Sequence, residues 1–99
     1  MTYESENSVK NELNNILIFY TKNYEILIYE RENINASRYK ASFAIRLNTE
    51  DINENMISDI KKLNAREGKK IFFDGSKVDL QGDFAITFLI VSAEIKCNL

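Results

Sequence analysis

Histidine is absent and cysteine occurs once. The first absence excludes imidazole acid–base catalysis, histidine metal ligation and a histidine pH switch. The second excludes an intramolecular disulfide and any cysteine-cluster metal site, so no cofactor or metal is expected. Proline is also absent, and the three glycines, Gly68, Gly75 and Gly82, all fall in the last third of the chain, where they read as punctuation between elements. No apolar run approaches the ~18–20 residues that a membrane span requires, so no membrane partner is expected. What remains is 99 residues that are 44% hydrophobic and 28% charged. That composition fits one globular domain over residues 1–99 and excludes a disordered chain or a disulfide scaffold.

Asn, Ile and Lys supply 34 of the 99 residues. Their codons are AT-rich, which points to a low-GC bacterium or one of its phages or plasmids. The opening stretch, with Glu4 and Glu6, is acidic and polar, unlike a secretory signal. The lone Cys97 fits a reducing cytosol, so a cytoplasmic location is expected. The net charge of −2 is unevenly spread, with −4 over residues 1–60, +4 over 61–77 and −2 over 78–99.

The first element reads as a helix over about residues 6–21. Val9, Leu13, Ile16, Leu17 and Tyr20 recur at helical spacing, and Ser5 or Ser8 can cap the start. Residues 24–30 read as a strand rich in β-branched and aromatic side chains. Residues 31–38 are polar and aperiodic, and read as a long hairpin loop. Residues 39–47 alternate cleanly. Tyr39, Ala41, Phe43, Ile45 and Leu47 face one way, and Lys40, Ser42, Ala44 and Arg46 the other. A second helix is predicted over about residues 50–65, capped by Asn48 or Thr49 and ended by Gly68. Its buried stripe is Ile52, Met56, Ile60 and Leu63. A short strand at 70–74, an Asp74-Gly75 hairpin turn and a partner strand at Val78–Leu80 follow. Gln81-Gly82-Asp83 breaks the chain again before a long strand over 84–96, apolar on both faces from Phe84 to Val91. The order α-β-β-α-β-β-β predicts a two-layer α+β sandwich, a mostly antiparallel sheet of about five strands with two helices on one face. The two-faced strand also predicts self-association as a homodimer. Phe88 or Ile90 is expected to face the helices, with Leu89 and Val91 on the side a second copy would cover.

Chemistry is sparse. Cys97 has no histidine partner and reads as an idle thiol at a strand end. Asp74, Asp79 and Asp83 do not follow the calcium-loop spacing and read as turn residues. Gly68-Lys69-Lys70 lacks the first glycine and the Ser/Thr of a phosphate loop and precedes a strand, so it is set aside. Two surfaces are left. One is the basic segment Lys61, Lys62, Arg66, Lys69 and Lys70, which could neutralise phosphates or only complement a helix dipole. The other is the first hairpin, where Arg31, Asn33, Asn35, Arg38 and Lys40 lie between Tyr29 and Tyr39. With no catalytic set, the chain is expected to be a non-enzymatic interaction protein that sterically blocks a protein partner. Phage or plasmid accessory inhibitors, such as anti-CRISPR proteins or immunity proteins, have this form. The alternative is a nucleic-acid-binding module using the basic segment 61–70.

Overall fold

A computed structural model describes residues 2–65 and 70–97. The elements are α1 (Glu6–Leu17), β1 (Tyr24–Asn35), β2 (Arg38–Asn48), α2 (Glu54–Lys62), β3 (Ile71–Gln81) and β4 (Phe84–Lys96). Single 3-10 turns at Thr49–Asp51 and Leu63–Ala65 flank α2. The strands form one antiparallel sheet in the order β1-β2-β4-β3, with both helices on one side. The α+β reading therefore holds, with four strands where about five were expected and the order α-β-β-α-β-β.

The missing strand was produced by Asp74-Gly75. These residues do not turn the chain; they form a bulge inside a single strand. Phe73 pairs with Val91 and Gly75 with Ile90, so Asp74 is an extra residue, and Gly75 absorbs the distortion at φ 111°. A dipeptide that signals a hairpin also suits a bulge, because both ask for positive φ. The real turn is Gly82-Asp83, between the paired Gln81 and Phe84, with Gly82 at φ 61°. The predicted loop over 31–38 is likewise mostly strand. β1 runs on to Asn35, and only Ala36 and Ser37 turn. Asn35 Oδ1 accepts from the Ser37 backbone N–H at 2.9 Å and the Arg38 N–H at 3.2 Å, which builds the turn from one side chain.

Both helices are shorter than their apolar periodicity suggested. Ser5 caps α1 by accepting from Ser8 N–H at 3.1 Å, and the helix ends at Leu17. Ile18 and Phe19, which lie off the stripe, are left exposed. α2 is capped by Asn53, which accepts from Asn55 N–H at 2.8 Å, and not by Asn48 or Thr49. Thr49 instead shares a 2.8 Å hydroxyl hydrogen bond with Thr87 of β4. The predicted stop at Gly68 lies outside the described residues.

The core lies between the helices and one sheet face. Val9, Leu13 and Leu17 of α1 and Met56 and Ile60 of α2 meet Phe43, Ile45, Leu89, Val91 and Ile71. Tyr3 joins them from the N-terminal segment. It forms a parallel bridge to Ile95, and Tyr3 N–H donates to Glu94 O at 3.0 Å. The facing of β4 is the reverse of expectation. Leu89 and Val91 pair with Ile45 and Phe43 on the helix side, and Phe88 and Ile90 pair with Arg46 and Ala44 on the other. The clean alternation of β2 decides it, because paired residues in a ladder share a face.

Candidate interaction surfaces

Most of the predicted hairpin surface is already engaged within the chain. Arg31 clamps Glu6 of α1 through Nε to Oε2 at 2.6 Å and Nη2 to Oε1 at 2.8 Å. Tyr39 O–H donates to the same Glu6 Oε2 at 2.7 Å. A bulge makes this clamp possible. Tyr29 is an extra residue between the pairs Ile28–Phe43 and Glu30–Ser42. It shifts the alternation of β1 so that Arg31, opposite Ala41, points to the helix layer. Without that shift Glu30 would lie beneath the acidic start of α1. The hydrogen bonds from Arg31, more than that from Tyr39, hold the Glu6 carboxyl below its usual range, against burial. Burial, then the bond to Glu6, pushes the Tyr39 phenol up to about 12.

On the opposite side of the sheet, Arg38 approaches Glu94 at 3.4 Å while its Nε has no hydrogen-bond partner. Lys40 approaches Glu32 at 3.8 Å. Asn35 serves the turn, and Asn33 is exposed. All three cationic residues of the predicted hairpin surface, Arg31, Arg38 and Lys40, thus approach carboxylates of this chain, though Arg31 keeps 58% of its side-chain exposure.

Of the predicted basic segment, Lys61, Lys62 and Lys70 fall among the described residues. Lys61 Nζ stands over the Phe73 ring at 5.5 Å, and Lys62 lies 4.0 Å from Asp59. Lys70 is exposed at the start of β3. Arg66 and Lys69 lie outside the described residues. Among the described residues no group of three His, Cys, Asp or Glu side chains could hold a metal ion. Likewise, no helix among them is long and apolar enough to cross a membrane. Cys97 is a free, half-buried thiol whose N–H donates to Ser37 O at 2.9 Å.

Two apolar surfaces lie outside the predicted contact residues. The β3–β4 hairpin runs past the helix layer. There Val78 and Leu80, two residues apart on the helix side, are 59% and 77% exposed. The second is the whole open face of the sheet, which no described element covers. Along β4 it carries Phe84, Phe88 and Ile90, with Leu27 and Phe72 on the outer strands, while Ile86 is buried. The signal for this stripe was present as the two-faced character of 84–91. The signal for the tip was hidden, because Val78 and Leu80 were assigned to a separate short partner strand. Comparison with protein-family models, curated proteins and solved structures gives no match.

Proposed function

We propose that this chain is a small interaction protein that acts by occupying a surface of a protein partner, with the β3–β4 hairpin tip as its principal contact. The observation that supports this is the pair Val78 and Leu80, held in solvent on the two-stranded β3–β4 arm. Large apolar side chains kept exposed side by side mark interaction sites, since nothing in the monomer gains from their position. Asp79 and Asp83 flank the tip and give it a negative rim, which suits a protein groove and opposes a phosphate backbone. The 31–40 hairpin lies at the other end of the sheet and offers a second, polar contact through Asn33, Asn35 and the exposed part of Arg31. A phage or plasmid accessory inhibitor that blocks its target sterically is the form of this proposal that the composition favours.

The test is affinity capture from a low-GC bacterial lysate, with and without nuclease, read by quantitative mass spectrometry. The expected result is one protein prey that survives nuclease. Val78→Asp with Leu80→Asp should abolish its capture, and Lys61→Glu with Lys62→Glu should retain it. Recovery of nucleic acid, with every protein prey lost after nuclease and after the lysine reversal, would replace this reading with the phosphate-binding one.

A further inference from the structure

The strand register places the open-face side chains in rows across the sheet. One row holds Glu32, Lys40 and Glu94, with Lys70 next, bound through its carbonyl to the Glu94 N–H at 2.9 Å. Another holds Glu25, Arg46, Phe88 and Lys77. Between them, Ser42 pairs with Ser92 and Ala44 with Ile90, and the second pair is continued by Leu27 and Gly75. The β1 edge of this face is therefore acidic, through Glu25, Glu30 and Glu32. The β3 edge carries Lys70 and Lys77, followed by Asp79 toward the hairpin turn. The centre is small or apolar.

We infer that this face packs against the same face of a second copy about a two-fold axis parallel to the strands. Such an axis lays β1 over the partner's β3 and β2 over its β4, row upon row, in the aligned geometry of sheet sandwiches. Glu25 then faces Lys77 and Glu32 faces Lys70, while Glu30 faces the Phe72 ring. In the middle Lys40 faces Glu94 and Arg46 faces the Phe88 ring, a cation–π placement. Ile90 meets Ala44, large on small, and Leu27 meets Gly75. Arg38 and Lys96 confront each other only at the exposed end, where Glu94 already lies beside Arg38. A two-fold axis across the strands fails this comparison, because it lays the acidic β1 edge on itself. The size is also adequate. Four strands at about 4.8 Å and about eleven residues at about 3.3 Å give roughly 700 Å² per copy, close to the ~800 Å² per partner of a stable interface.

Sedimentation equilibrium on the full chain tests this assembly. The expected mass is twice 11.5 kDa at micromolar concentration. Ile90→Lys should raise the dimer dissociation constant more than about a hundredfold while the far-UV circular dichroism stays native. Glu25→Lys and Lys77→Glu should each raise it about tenfold, and the double variant should restore it. Within one chain these two residues sit three strands apart, about 14 Å, so restoration requires contact between copies. A wild-type mass of 11.5 kDa at 100 µM overturns the proposal. So does a dimer that Leu80→Asp breaks and Ile90→Lys leaves intact, or a double charge swap that fails to recover. Partner capture through the hairpin tip is read separately, so its success or failure is independent of the mass.

Discussion

At the residue scale the Glu6, Arg31 and Tyr39 cluster ties α1 to the first hairpin through charged hydrogen bonds. Glu6 titrates lower in the fold than in the unfolded chain. Its contribution is therefore complete above the ordinary carboxylate pKa and is lost as the pH falls through the depressed one. Tyr39 titrates higher in the fold, up to about 12. Its contribution is complete below pH ~10 and is lost as the pH rises toward its folded value. Thermal melts against pH should show both arms. Glu6→Gln should remove the acid-side loss that this pair causes and lower stability at neutral pH by about 0.5–1 kcal/mol, the range of a well-aligned but exposed pair. In a phenolate absorbance titration, Tyr39→Phe should delete a component near pH 12. None of this cluster was legible in the sequence. Its members lie 25 and 33 residues apart, and only the bulge at Tyr29 brings Arg31 to the helix side. The cationic residue types were found as a surface, while their carboxylate partners were not.

At the element scale, regular alternation was readable and its interruptions were not. β2 keeps period two throughout and was placed to within one residue at each end. β1 carries two extra residues and β3 one, and both strands were cut short or split. A reading based on period two treats a phase change as an end, whereas a ladder passes through it with one residue unpaired. Helix existence was legible from the stripes, and helix ends were not, because Ser and Asn are common enough here to offer several caps. The two glycines of the second hairpin now separate by conformation. No atom within 4 Å would meet a Cβ at either position, so the cost of a side chain there is backbone strain alone. Gly82, at φ 61°, lies in the left-handed region that asparagine tolerates. Gly75, at φ 111°, does not. Denaturant unfolding should find Gly82→Asn within about 0.5 kcal/mol of wild type. Gly75→Asn should cost about 1–3 kcal/mol.

At the scale of the whole molecule, one sheet divides the chain into a sealed side and an open side. β4 shows the division most sharply, since Leu89 is fully buried and Ile90 only half so. Leu89→Ala should destabilise the fold by about 3 kcal/mol through the cavity it leaves under the helices. Ile90→Ala, measured in the Glu25→Lys background where self-association is weakened, should cost less than about 1 kcal/mol. Calorimetry of the two variants distinguishes the sides directly. The same sheet has two long edges, and both are irregular, at Tyr29 and Ile34 in β1 and at Asp74 in β3. Asp74 is an inserted unit that no pairing requires. A chain lacking it would keep every later side chain of β3 on its present side and would present a straight, unbroken border of amides and carbonyls. Such a border recruits further strands without end. An edge broken in this way is a poorer template for another strand, so the additional residue disfavours growth of the sheet from one chain to the next.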